Sequence, residues 1–175
     1  MERNKVVLVN EDDFALAEMD KMQAHRDGKL HRAFSVFIFN LKGEMLIHQR
    51  ANHKYHGAGL WTNACCSHPQ WNERVKESAK ERLQFEMGMS CDLEHLFSFI
   101  YKATVENGLM EYEYDHVFVG YTNAEPVPNI LEVQNYKWIA PEELLKQVAA
   151  QPQDFTYWFR VALEKVMDLF VGINR

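Results

Sequence analysis

With 175 residues, 47% of them apolar and 25% charged, the chain has the make-up of one globular domain, spanning 1–175 and large enough to bury a core. A formal charge of −6 gives no global electrostatic case for nucleic acid, and the longest apolar run, Ala33 to Phe39 with Ser35 inside it, is far too short to span a membrane. The opening MERNKVVLVNEDD lacks a cationic-then-apolar leader, so a cytoplasmic location is expected. Lys5 to Val9 reads as a short strand, and Ala33 to Phe39 as a second, apolar enough to be buried on both faces. Asn40-Leu41-Lys42-Gly43 reads as a turn and Glu44 to Arg50 as its hairpin partner. Residues 51–63 form a loop carrying His53, Lys54, His56 and two glycines.

From Asn72 to Met87 the pattern turns helical, because Val75, Ala79, Leu83 and Met87 recur every fourth residue. Asn72 is the expected N-cap and Gly88 the stop. Phe97 to Val105 and Glu111 to Thr122 read as strands around Glu106-Asn107-Gly108, where Asn-Gly signals a tight turn. Tyr136 to Ile139 is a further short strand, and Pro141 opens a helix to Ala150. A last helix runs from Thr156 to Phe170, with Phe159, Leu163, Val166 and Phe170 as its apolar stripe. The expected class is α+β, a mixed sheet flanked by helices.

The stretch TNACCSHP at residues 62–69 carries two adjacent cysteines two residues before a histidine. Three cysteines, with Cys91 far from the other two, make no disulfide framework, and a bond between neighbours would be badly strained. Cys66 therefore reads either as a small buried hydrophobe or as a thiol activated by nearby charge and a helix N-terminus. His25 and His31 bracket a short turn containing Gly28, and His68 follows the cysteines. In EYEYDH, Glu111 and Glu113 are two apart, which on a strand points both carboxylates to one face. Three imidazoles and two carboxylates suit Mn²⁺, Zn²⁺ or Fe²⁺ if they meet, whereas taken singly each is an ordinary surface or core residue. Lys21, Arg50, Lys54 and Arg82 stand in or beside the same segments. They are either solvated or an anion clamp for phosphate or diphosphate.

The segments KLHRAFSVFIFN, LIHQRANHKYHGAGLWTNACCSHP, RLQFEMG and MEYEYDHVF occur in this order, and together they resemble the type I isopentenyl-diphosphate isomerases of the Nudix superfamily. The resemblance runs from about residue 4 to residue 165. The superfamily's hydrolase box falls on Ser67 to Met89, with Ser67 in place of its first glycine and Glu73 retained. Glu81-Arg82-Leu83-Gln84-Phe85-Glu86-Met87-Gly88 follows, so Arg82 and Phe85 occupy two acidic positions and Glu86 alone remains of that carboxylate group. Hydrolysis of a pyrophosphate needs clustered carboxylates to hold divalent ions, and this departure argues against it.

The resemblance implies a 1,3-allylic proton shift between isopentenyl diphosphate and dimethylallyl diphosphate. It places a metal site, filled by Mn²⁺ or Zn²⁺, on His25, His31, His68, Glu111 and Glu113. Glu86 matches the residue for a second ion, Mg²⁺, that accompanies the substrate, and Lys21, Arg50, Lys54 and Arg82 match the diphosphate-binding residues. Glu113 assisted by Tyr101 is implied as the acid, Cys66 as the base on the opposite face, and Trp158 as the ring that stabilises the tertiary cation between them. Cys65 is a packing residue in this scheme, and the expected assembly is a monomer or weak homodimer without nucleic-acid or membrane partners. A Nudix hydrolase is the competing enzyme, a thiol hydrolase built on Cys66 is another, and a non-catalytic metal- or diphosphate-binding module is the third alternative.

Overall fold

The computed structural model describes residues 3–173; Met1, Glu2, Asn174 and Arg175, and with them the outer ends of the expected 1–175 span, lie outside the described residues. In chain order the elements are β1 (Lys5–Val9), β2 (Ala15–Asp20), α1 (Lys21–Asp27), β3 (His31–Phe39), β4 (Met45–Arg50), β5 (Trp61–Thr62) and β6 (Cys65–Ser67). They continue with α2 (Val75–Met87), β7 (Glu94–Thr104), β8 (Met110–Tyr121), β9 (Val133–Ile139), α3 (Pro141–Ala150) and α4 (Tyr157–Ile173). The strands form one mixed sheet with helices against it, which is the α+β arrangement expected.

β3 is the hub of that sheet. It pairs in parallel with β8 along its whole length, from His31 opposite Glu113 to Phe39 opposite Tyr121. It also pairs antiparallel with β6, placing Ser35 opposite Cys66. Because side chains alternate along a strand, β3 feeds two cores. Phe37 and Phe39 join Val117 and Val119 against Phe159, Leu163 and Val166 of α4. Phe34, Val36 and Ile38 join Phe118 against Ala79, Leu83 and Met87 of α2. β3 is thus buried on both faces, as its composition requires.

Two expectations need correction. β3 and β4 do not form a regular hairpin: they meet only where Phe39 faces Met45. Asn40 does make the turn, its side-chain oxygen accepting from the N–H groups of Lys42 and Glu44. The strands then part because β8 and β6 occupy β3, while β4 pairs along its length with β9. Asn72 is not the N-cap of α2; its φ of 65° is left-handed, and the helix begins at Val75. Glu73 organises this entry instead, accepting from the Gln70 N–H at 2.8 Å and from Arg3 at 2.7 Å. The turn expected between His25 and His31 is present at Gly28, and a short helix that was not expected, α1, leads into it and carries His25. Asp20 caps it through a 2.9 Å bond from the Gln23 N–H, and Gly28 ends it in left-handed conformation.

Gly88 ends α2 as expected, at φ 63°. A Cβ there would lie 2.6 Å from the carbonyl oxygen of Val127, so the glycine also permits the close approach of the segment leading to β9. Among the described residues no helix is long and apolar enough to cross a membrane.

Candidate active site

The site lies over one end of the β3–β8 pair, on the sheet face that α4 covers further along. In β8 the residues alternate, so Glu111, Glu113 and Asp115 are buried on this face while Tyr112, Tyr114 and His116 are half-exposed. The parallel register sets His31 opposite Glu113, and the antiparallel β7 sets Tyr101 opposite the same residue. α1 delivers His25, and β6 delivers Cys66 with His68 just beyond it.

His25, His31, His68 and Glu113 each offer one donor atom, all lying within 4.8 Å of one another. The second ring nitrogens explain why the histidines are poised as ligands. Nδ1 of His25 is bonded to the Lys21 carbonyl at 2.6 Å, and Nδ1 of His31 to that of Lys29 at 2.8 Å. Backbone carbonyls only accept, so each Nδ1 carries the hydrogen and each Nε2 keeps a lone pair for coordination. Both Nε2 atoms are buried and have no hydrogen-bond partner, the condition a metal ion would relieve. Together with the carboxylate and imidazole chemistry of the set, this fits a divalent transition metal.

Glu111, the fifth ligand expected, stands in an overlapping group with His25 and His56 and is in contact with the His56 ring. His56 was not expected there. It sits in an irregular loop, where no periodic pattern marks it. Tyr101 bridges the carboxylates, its hydroxyl 2.9 Å from Glu111 and 2.6 Å from Glu113. Burial opposes the charge on Glu113, yet the imidazoles of His31 and His68 close beside it hold its carboxyl well below the usual range.

The expected basic residues converge on one pocket. Lys21, Arg50, Lys54 and Arg82 line it together with Glu86, Cys66, His68, Tyr101, Glu111, Glu113 and Trp158. Burial lowers the Lys21 pKa first, and the charges of Lys54 and Arg82 lower it further, an electrostatic sign that these cations sit close together. Two of them also meet acids: Arg82 bonds Glu86 at 2.6 Å and Lys54 contacts Glu132. Sequence reasoning missed Glu132, which lies just before β9 with nothing local to single it out.

Cys66 faces this pocket, whereas Cys65, next to it on β6, is fully buried in the α2 core. Burial, and after it the charge of Asp115, pushes the Cys66 thiol up to about 12. The indole N–H of Trp158 points at its sulfur from 3.0 Å, and the Arg50 guanidinium lies 5.2 Å from the Trp158 ring centre. Asp115 was also missed, although it continues the two-residue alternation of Glu111 and Glu113 and could have been found that way.

The NUDIX domain family matches residues 29–159. Among curated proteins, the chain is 46% identical to "Isopentenyl-diphosphate Delta-isomerase 2" of Photorhabdus laumondii, over 89% of this chain and 88% of that one. It is 44% identical to "Isopentenyl-diphosphate Delta-isomerase" of Serratia proteamaculans, over 88% and 86%. Among solved structures, the MutT protein from Methanosarcina mazei superposes with a TM-score of 0.66 at 21% identity, covering 83% of this chain and 96% of that one. A MutT NUDIX hydrolase from Burkholderia pseudomallei gives 0.63 at 21%, covering 78% and 98%. The structural likenesses establish the fold, and the sequence likenesses, at this identity and coverage, establish the family. The chain belongs to the isopentenyl-diphosphate Delta-isomerase family, built on the NUDIX fold.

Proposed function

We propose that Cys66 and Glu113 are the two proton-transfer groups of an isopentenyl-diphosphate isomerase, acting on an alkene held between them by its diphosphate. The observation that carries this reading is their joint placement on one pocket beside four converging cations, Lys21, Arg50, Lys54 and Arg82. Binding at that remote end fixes the position of the carbon chain, and orientation of this kind lowers a barrier without touching the reacting atoms. An unactivated double bond is a poor base, so it needs a well-placed acid in a dry site.

Glu113, hydrogen-bonded to Tyr101, supplies a proton to the terminal methylene, and Cys66 removes one from the second carbon. The charge that develops between these steps is a tertiary carbocation, and the face of the Trp158 ring is a partner that offers it no nucleophile. Isomerisation is reversible, so each group is an acid in one direction and a base in the other. The thiol form in which Cys66 rests is the acid of the reverse direction. The forward direction begins once one proton has passed from sulfur to carboxylate.

His25, His31, His68 and Glu113 would hold a Mn²⁺ or Zn²⁺ ion, with Glu111 beside them, and Glu86 would serve a Mg²⁺ ion arriving with the diphosphate. Bound metal would supply positive charge that fixes the carboxylates and sets their acidity. Hydrolysis is disfavoured because Arg82 and Phe85 stand where a pyrophosphatase needs acids. Arg82 is turned to Glu86 and the pocket, and Phe85 is exposed.

Proton NMR of isopentenyl diphosphate in deuterated buffer, with Mg²⁺ and Mn²⁺, tests this reading. Dimethylallyl signals with deuterium incorporated should grow for the wild type and vanish in Cys66→Ala and Glu113→Gln. Full turnover in either variant would remove that residue from the chemistry, and release of free phosphate by the wild type would replace the isomerase with a hydrolase.

A further inference from the structure

Behind the Cys66 thiol lies a hydrogen-bonded cluster that the proton-transfer scheme does not use. Asn63 is fully buried at its centre. Its side-chain N–H groups donate to the carbonyl oxygens of Val36 and Cys65, each at 2.9 Å. Because those oxygens only accept, the carboxamide has a single satisfied orientation, and its Oδ1 must face the other way. There it lies 3.0 Å from the Cys66 sulfur, as the acceptor of the S–H hydrogen. Thr62 Oγ1 donates to the same oxygen at 2.9 Å and accepts from Thr156 Oγ1 at 2.9 Å, which commits the Thr62 hydrogen to Asn63.

Two other groups lie around the sulfur, and only one of them can accept its hydrogen. Trp158 Nε1 is a donor only, at 3.0 Å. Ser35 Oγ, whose own hydrogen is directed to Asp115 Oδ2 at 2.7 Å, is the alternative acceptor, but it lies farther off, at 3.6 Å against 3.0 Å for Asn63 Oδ1. A free thiol hydrogen rotates among staggered positions about the Cβ–Sγ bond. Here Asn63 selects one of them.

We infer that Asn63 is a positioning residue for Cys66: its carboxamide oxygen, locked by two backbone carbonyls, fixes the S–H orientation and the place of the sulfur beside the pocket. The catalytic part of this inference rests on reading Cys66 as a proton-transfer group, while the hydrogen bond itself does not. With the hydrogen parked on Asn63, the sulfur lone pairs are held in a fixed direction. Loss of that alignment should cost turnover rather than substrate affinity, because the diphosphate is held by other residues.

The S–H stretching band in the infrared spectrum tests the bond directly. The difference between wild type and Cys66→Ala should isolate one band, displaced to lower wavenumber than that of an unbonded alkanethiol. In Asn63→Ala the band should move back toward the unbonded position, with kcat about 10- to 100-fold lower and KM within about twofold of wild type. Thr62→Val, which leaves both backbone bonds of Asn63 in place and removes the second donor to its oxygen, should shift the band by a smaller amount to still lower wavenumber; this variant and the wild-type band keep the test open if Asn63→Ala does not fold. An unbonded band in the wild type overturns the inference, as does a shifted band in Asn63→Ala with unchanged kcat. A bonded band in a wild type that does not isomerise the substrate upholds the hydrogen bond and overturns the proton-transfer reading of Cys66.

Discussion

Removing divalent metal should lower the unfolding temperature of this protein by an amount that follows from two atoms. Nε2 of His25 and Nε2 of His31 are buried without hydrogen-bond partners. An unpaired buried polar atom costs about 1–3 kcal/mol, so a metal that engages both relieves about 2–6 kcal/mol. For a chain of this size each kcal/mol moves the midpoint by about 2–4 °C. The metal-loaded protein should therefore melt at least about 4 °C above the chelated one. Calorimetry of chelator-treated protein, with and without added Mn²⁺ or Zn²⁺, measures this increment. His25→Ala and His31→Ala should abolish it, whereas His53→Ala, at an exposed loop position outside the cluster, should retain it. An unchanged midpoint on metal addition, or an increment that survives both histidine substitutions, would refute the reasoning.

Lys54→Ala should raise KM for the diphosphate substrate about 10- to 100-fold, as expected for the loss of one charged hydrogen bond, with kcat nearly unchanged in steady-state assays. Gly88→Ala should destabilise the fold by about 1–3 kcal/mol in denaturant titration, since the new Cβ meets the Val127 carbonyl at 2.6 Å and the φ of 63° is unfavourable to a side chain. The hydrogen bonds from Arg3, Gln70 and Ser78, opposed by partial burial, depress the Glu73 pKa below its ordinary 4.5. A depressed carboxylate stabilises the fold above its unfolded pKa, and that contribution fades as pH falls through the folded value. Arg3→Ala should accordingly move the acid-unfolding midpoint, followed by circular dichroism, to higher pH, with the two proteins converging below the folded pKa.

What the sequence made legible was whatever repeats within one element. β3 announced itself by an apolar run interrupted only by Ser35, α2 by four-residue spacing and a glycine stop, and α3 by its opening proline, with bounds that agree at both ends. β2 is exposed along nearly all of its length and so carries no alternation, α1 has only seven residues, and β5 and β6 are shorter still. The partner of β4 was misread because proximity in sequence favours a hairpin, whereas competition for the edges of β3 decided the pairing. The site was legible in two parts. Glu111 and Glu113 could be placed on one face by strand geometry alone, but the meeting of Glu113 with His25, His31 and His68 depends on a parallel register that no local pattern states. Asn63, His56 and Glu132 went unnoticed because their significance comes from which atoms they face.

The pairing of β3 with β8 also has a consequence for how the protein matures. Parallel strands distant in sequence pair slowly, because the chain entropy of closing the intervening loop is lost before any contact repays it. The imidazole half of the metal cluster lies on the early side of that closure and the carboxylate half on the late side. During synthesis, then, the histidines and Cys66 emerge before the acids that face them. A slip of one residue in the register would turn Glu113 to the opposite face, leaving His31 without its partner. Capture of a metal ion at this cluster would in this sense be a check on strand register, favouring the folded chain in which both halves have met.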